Sequence, residues 1–320
     1  MSLDVAELRS RKQVGDRFFR GATLLGGAAI LLILGLIAWT ISKKSSLVFR
    51  TAGLDFFTEK RWAPSADPPV YGALSFIYGT AVTALIALIL AVPVSIGLAL
   101  FTTQVARGWF RRALVTLTDV VAVVPSVVFG LWGIIFLAPN LIGVYKSIHG
   151  WFNGWPILGS IFGPAASGRT FMTAGLILAV MITPIITSIS REVIDTCPQS
   201  DRDGALALGA TRWEMITGAV IPHSAGGIVG GVMLGLGRAM GETIAAALVI
   251  GSSAAVTSNV FSPGDSLPAV IAFQWGEATS DEKRSALIAM GLTLFVLTLI
   301  VNFAATAIVN RALRRMQGTT

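Results

Sequence analysis

Charge is the first thing this sequence is short of. Only 13% of its 320 residues are Asp, Glu, Lys or Arg, against about 25% in soluble domains, so a water-soluble globular fold is excluded. Cysteine occurs once, at Cys197, and no disulfide framework can be built within the chain. Histidine occurs twice, at His149 and His223, each without a ligand-spaced companion, so neither a metal centre nor a cofactor is expected. None of the lysines stands in a G-x-x-x-x-G-K-[ST] context, the loop whose backbone N–H groups cradle nucleotide phosphates. The glycine cluster Gly235-Leu-Gly-Arg-Ala-Met-Gly241 does not fit G-x-G-x-x-G either. With no Ser/His dyad in an apolar run, no catalytic constellation is legible, and the chain reads as a non-enzyme that hydrolyses nothing itself.

What the chain has is apolar length. Hydrophobic residues make up 54% of it, and the mean hydropathy is +0.75. They fall in blocks bounded by charge: Gly21–Ser42, Pro68–Ala106, Ala113–Tyr145 with only Asp119, Thr170–Ser190, Met215–Gly264 with only Arg238 and Glu242, and Ser285–Asn310. A span needs about 20 apolar residues, so the simplest count is six membrane helices in an all-α integral membrane protein. The fifth block is expected to be one long helix ending near Ile250. Pro125 is expected to bend the third span or free a carbonyl there.

Basic residues set an orientation. Fourteen flank the even-numbered connections and the two ends, among them Arg17 and Arg20, Arg107, Arg111 and Arg112, Arg191, Arg202 and Arg212, and Arg311, Arg314 and Arg315. Nine lie on the other side, five of them in the long first loop. Both termini are therefore expected in the cytoplasm of a multi-pass cell-membrane protein. The bias also explains the net charge of +7 without a nucleic-acid partner. The first apolar block is too long for a cleaved leader and should stay as a helix. The expected organisation is a basic tail over 1–20, a membrane domain over 21–315 with a coupling loop at 191–218, and a short tail over 316–320. Arg61-Trp-Ala-Pro-Ser-Ala-Asp-Pro-Pro69 is turn and extended chemistry. The external Trp and Phe residues fit an interfacial belt or a docking surface. Asp119 reads as a partner of Arg111 or Arg112, or as a residue of a path.

One connection is punctuated rather than loose. In Ser200-Asp-Arg-Asp-Gly-Ala-Leu-Ala-Leu-Gly-Ala-Thr-Arg-Trp-Glu214, Ser200 is placed to cap a helix, with Asp203 three residues on. Gly209 can end that helix in a left-handed conformation. Thr211-Arg-Trp-Glu214 is a capping box that starts the next helix. A loop with a stop and a restart built into it is a rigid part, able to pass a push to the span that follows.

A second feature lies inside the fifth block. Arg238 and Glu242 are four residues apart, so on one helix they share a face and can pair. Counted from Gly226, Arg238 falls ~18 Å in, near the middle of a ~30 Å core. Each such charge costs about 2.5–3.5 kcal/mol on insertion scales, so the pair must face protein or water. It is either a lock between helices or a contact for an anion, because a guanidinium fork matches phosphate oxygens. Gly227, Gly231 and Gly235 recur every fourth residue, with Gly237 and Gly241 repeating the pattern, as in close helix packing.

The segment Asp203-Gly204-Ala205-x3-Gly209-x9-Ala-Val-Ile-Pro222 resembles the EAA motif of permeases in ATP-binding-cassette importers, with its spacing intact. Asp203 stands for the Glu and Gly204 for the first Ala; Ala205, Gly209 and Pro222 match outright. Together with Pro125-Ser-Val-Val-Phe-Gly-Leu-Trp-Gly133, the Arg238–Glu242 stretch and Ala207-Leu-Gly-Ala-Thr-Arg-Trp-Glu214, it is similar to the PstC-type permeases of phosphate importers, from about Ser75 to Arg315. The resemblance implies a type I importer permease fold with a cytoplasmic coupling helix. It implies a second homologous permease (PstA-like), two cytoplasmic ATPase subunits (PstB-like) and an extracytoplasmic phosphate-binding protein (PstS-like). It implies that Asp203, Gly204, Ala205, Gly209, Thr211, Glu214 and Pro222 serve the ATPase contact, and that Arg238 and Glu242 serve phosphate passage. A permease for sulfate or molybdate, and a secondary anion transporter, are the rival readings.

Overall fold

A computed structural model describes the backbone of residues 5–317 and the side chains of 15–307 together with Arg311. Residues 1–4 of the expected basic tail and 318–320 of the expected C-terminal tail lie outside the described residues. In chain order the helices are α1 (Val5–Thr51), α2 (Asp55–Thr58), α3 (Leu74–Leu100), α4 (Gly108–Val123), α5 (Ser126–Trp132), α6 (Ala138–Phe152), α7 (Leu158–Ile161), α8 (Phe171–Asp195), α9 (Gln199–Ala207), α10 (Arg212–Met215), α11 (Ile221–Gly241), α12 (Ile244–Ile250), α13 (Leu267–Gln274) and α14 (Asp281–Gln317). Three wide π turns, Phe101–Val105, Gly133–Leu137 and Ile216–Val220, join neighbouring helices. A hairpin of β1 (Trp62–Ala63) and β2 (Val70–Tyr71) occupies the turn-rich first loop, with Ala63 opposite Val70.

Six helical stretches are long and apolar enough to cross a membrane: Gly15–Thr51, Leu74–Val105, Ser126–Phe152, Phe171–Asp195, Arg212–Gly241 and Asp281–Ala307. The count matches the charge gaps, but two boundaries do not. The chain leaves helical geometry at Val124, with ψ 127°, and Pro125 opens α5 instead of bending a span. A residue before proline is pushed out of the α region, so Pro125 separates α4 from the membrane helix that follows. The third span therefore runs from Ser126 through Phe152, past the expected Tyr145, with Pro139 in the first turn of α6. The fifth span ends at Gly241, not near Ile250: Glu242 is extended, with ψ 124°, before α12 restarts at Ile244.

α8 is the axle of the bundle. Fourteen of its 25 residues are buried, which places it between the others. α3 meets it along Thr83, Ala87, Ala91, Ser95 and Ala99, buried small residues at every fourth position. Without a hydrophobic force between helices in lipid, small residues and polar links hold spans together. Here Ser95 Oγ donates to the Thr183 carbonyl at 3.2 Å. On the other flank, a Cβ at Gly235 would stand 2.8 Å from Ile186, one at Gly231 3.2 Å from Ile189, and one at Gly227 inside the Val193 side chain. The expected glycine packing face of the fifth span is therefore the contact with α8. α1 leans on α14 through Ser285, whose Oγ donates to the Lys44 carbonyl at 2.9 Å and accepts from Val48 N–H at 3.2 Å.

Candidate functional site

The elbow between α8 and α11 folds as its punctuation directs, with one exception. α9 is followed by Leu208 and then Gly209 at φ +88°. Ala210 N–H bonds the Ala205 carbonyl at 3.1 Å, and Gly209 N–H the Leu206 carbonyl at 3.0 Å. These two bonds form a Schellman stop, which needs a residue content with positive φ. The capping box is complete: Glu214 N–H donates to Thr211 Oγ1 at 3.3 Å, and Glu214 Oε2 accepts from Thr211 N–H at 2.7 Å. Ser200 is the exception. Pro198 occupies the cap position, and Ser200 Oγ turns to Asp201 Oδ1 at 3.2 Å. Proline fixes the extended entry to α9 and displaces the cap by two residues. Asp203 is exposed and accepts from Gln199 Nε2 at 2.9 Å, one turn back.

The elbow is tied to the bundle at its inner edge and bare outside. Arg202 Nη2 donates to the Ile194 carbonyl at 2.7 Å, holding α9 against the end of α8. Ala205 packs beside buried Ile194, Cys197, Met215 and Val220. On the outer side Gly204 is open, and Leu206, Leu208 and Trp213 are 42%, 91% and 66% exposed. Composition gave no signal for Arg202, and the exposure of Leu208 follows from the Schellman turn that lifts it off the bundle. Pro222 lies in the first turn of α11, directly after the π turn Ile216–Val220. It has no N–H to give to the carbonyl four residues back, and its ring needs room there. The widened turn supplies that room and carries the bend into α11.

α4 is moored to the same end of α8. Arg111 pairs with Asp195 at 3.0 Å, and Arg191 with Asp119 at 3.7 Å. Asp119 therefore partners neither Arg111 nor Arg112, since α4 lies alongside α8 and turns its acid toward α8.

The charged pair of the fifth block is split. Because α11 stops at Gly241, Glu242 leaves the i, i+4 geometry, and Arg238 and Glu242 form no ion pair among the described residues. Glu242 Oε1 instead accepts from Ala245 N–H at 3.4 Å, stabilising the start of α12. Arg238 is exposed. Its depth follows from the register of α11 on α8, where Gly227 meets Val193, Gly231 meets Ile189 and Gly235 meets Ile186. Extended by one turn, with Ala239 and Met240 packed among Leu178, Ala179 and Ile182, that register puts Arg238 level with the middle of α8. The same open side of α11 carries His223, Gly226, Gly230, Leu234 and Gly241. A Cβ added at Gly226, Gly230, Gly237 or Gly241 would meet nothing within 4 Å. Gly237 and Gly241 thus do not continue the packing face of Gly227, Gly231 and Gly235; they bare the backbone beside Arg238.

Comparison with known proteins gives the family and the fold. Residues 91–314 match the family described as binding-protein-dependent transport system inner membrane component. The chain is 38% identical over 287 residues to the phosphate transport system permease protein PstC of Mesorhizobium japonicum, spanning 89% of this chain and 87% of that one. It is 38% identical over 303 residues to the PstC of Xylella fastidiosa, spanning 94% and 92%. Among solved structures, a bacterial alginate ABC transporter in complex with a pentasaccharide-bound periplasmic protein superposes with a TM-score of 0.58 over 95% of this chain and 97% of that one, at 18% identity. That likeness establishes the fold, a type I importer permease. The chain belongs to the binding-protein-dependent transport system inner membrane components, among the PstC-type permeases: a membrane transport subunit and not a catalyst.

Proposed function

We propose that this chain forms half of the membrane pathway of an ATP-driven phosphate importer. The observation that carries the reading is Arg238, an exposed guanidinium at mid-membrane depth on a face stripped to glycine backbone. Facing lipid, it would cost about 2.5–3.5 kcal/mol or more. Facing a water-filled cleft against a second, homologous permease, it costs little and meets a passing oxyanion. Its planar fork suits two phosphate oxygens at once. Glu242, one turn on, lowers the local positive potential, so the anion is met but not retained.

The elbow is the transmission. Asp203, Gly204 and Ala205 present a small-residue surface to a cytoplasmic ATPase, with Leu206, Leu208 and Trp213 as apolar contacts. Gly209 and the Thr211–Glu214 box fix its angle, and Pro222 delivers its movement to α11. Closing of two ATPase subunits on nucleotide moves the elbow, α11 follows, and the cleft at Arg238 opens to a phosphate-loaded binding protein outside. Hydrolysis in those partners resets it. Both termini then lie in the cytoplasm of a cell-membrane protein, with 21–315 as the membrane domain and 191–218 as its coupling loop.

The test is uptake of labelled phosphate by cells carrying the assembled transporter. Arg238→Ala is expected to lower uptake at least about tenfold, and Arg238→Lys to recover part of it, because the charge remains without the fork. Normal uptake by Arg238→Ala would remove Arg238 from the path. Competition by sulfate equal to that by unlabelled phosphate would reassign the cargo to another oxyanion.

A further inference from the structure

Away from the elbow and from Arg238, a cavity of about 470 Å³ opens between α1 and the start of α14. Its lining joins two cations from separate elements, Lys44 and Arg284, with one acid, Asp281, and apolar walls from Leu47, Trp275 and Ile288. Lys44 and Arg284 take part in no ion pair among the described residues. Arg284 gives its Nε–H to the Ala278 carbonyl at 2.9 Å. That bond fixes the guanidinium plane and leaves both Nη groups without a protein acceptor among the described residues. Directly beneath, Ser285 staples α1 to α14 through Lys44 and Val48, so the two cations sit at a rigid junction. Glu282, the next acid, lies on another face, beside Thr51 and Tyr71.

The level of the cavity matters. Lys44 follows the charge-free run Gly21–Ser42, and Arg284 precedes the charge-free run Ser285–Asn310. Both therefore stand where hydrocarbon gives way to headgroups, at the membrane face opposite the elbow. Lys43, beside them, lies over the Trp39 ring at 5.1 Å, and Trp275 is half exposed; tryptophan and lysine together are anchors of that layer. Ile288 lies one turn further into the charge-free run than Arg284, so the cations and the apolar wall below them match a molecule that is phosphate at one end and acyl chain at the other.

We propose that this cavity holds the phosphate headgroup of a membrane phospholipid, with Arg284 and Lys44 on the phosphate oxygens and the acyl chains running past Ile288 toward the hydrocarbon. Free phosphate offers the same oxyanion, and the experiment separates the two. The full-length chain is placed in nanodiscs of phosphatidylcholine with a minor share of phosphatidylglycerol, released, and its retained lipid is counted by native mass spectrometry. The paired variant Lys44→Gln, Arg284→Gln is compared with Lys60→Gln, Arg61→Gln, which removes the same charge from exposed positions outside the cavity. The expected result is one phosphatidylglycerol retained by the unmodified chain and by the control pair, and an apparent affinity on the order of tenfold lower in the cavity pair. Millimolar inorganic phosphate is expected to leave the lipid in place. Equal retention by both pairs would overturn the proposal, and so would displacement of the lipid by inorganic phosphate. Neither result touches the role of Arg238, which is read by uptake.

Discussion

Arg238 is a fixed charge that lipid would penalise and water would not. Its expected pairing with Glu242 does not form, and the reason is local. The spacing of Arg238 and Glu242 suggests a pair only if the helix continues, and the helix stops between them. Nothing in Gly241-Glu-Thr243 announces that stop as a proline would. No pattern in the sequence marks Asp265 as partly buried. Asp265, in the segment between the fifth and sixth spans, is largely covered, and burial pushes its carboxyl up to about 6 against the pull of the Ser266 amide. A carboxyl raised in the folded state favours folding below its unfolded value near 3.8, and that benefit is lost as pH rises through about 6. Melting of the purified chain in detergent is therefore expected to fall between pH 5 and pH 7.5. Asp265→Asn, which keeps an acceptor for Ser266, should flatten that slope and gain up to about 3 kcal/mol at the upper end. An unchanged slope in Asp265→Asn would assign the pH response to other groups.

α11 is two helices in one, and the two faces respond differently to the same substitution. Gly235→Val puts side-chain atoms into Ile186, and Gly231→Val does the same at Ile189. Overpacking of this kind costs about 1–3 kcal/mol, so both variants should melt lower. Gly230→Val and Gly237→Val meet open space in the chain alone. They should leave its melting unchanged while lowering phosphate uptake by the assembled transporter, because on the proposed function their side chains enter the cleft. The elbow gives a parallel contrast. Thr211→Ala removes both hydroxyl bonds of the capping box and costs the restart helix about 1 kcal/mol. Gly209→Val is worse, since φ +88° is a conformation a branched side chain resists. Both should lower transport per ATP hydrolysed more than they lower the amount of chain in the membrane, read by uptake and immunoblot together. These elements were legible because their signals are local: a capping box, a glycine after a short helix, glycine at every fourth residue. Which glycines pack and which stay bare was not legible, because the two sets differ only by a rotation about the helix that α8 decides. The break at Val124–Pro125 carries a proline, but a charge count cannot tell a break from a bend or a freed carbonyl, because α4 and α5 fall in one apolar block.

At the scale of the whole molecule, the spans differ in how much of their surface the chain itself covers. The apolar window of α1 is not buried at all, and α11 shows its glycine face, while α8 is enclosed. Six spans and the asymmetry of basic residues could be counted from composition, since lipid thickness and charge cost act on every residue alike. The packing order of the spans could not, because it rests on long-range fits such as Ser95 with Thr183 and Ser285 with Lys44. On the proposed function, the open face of α11 meets the second permease and the aqueous route. Its single cysteine, buried Cys197, makes that route directly measurable. With Cys197→Ala as background, Leu234→Cys places one thiol a turn from Arg238 on the same face. In the assembled transporter, a membrane-impermeant anionic methanethiosulfonate reagent is expected to modify that thiol, and phosphate is expected to slow the reaction. A thiol that resists this reagent and yields only to a lipid-soluble maleimide would put the face of Arg238 against acyl chains and contradict the pathway.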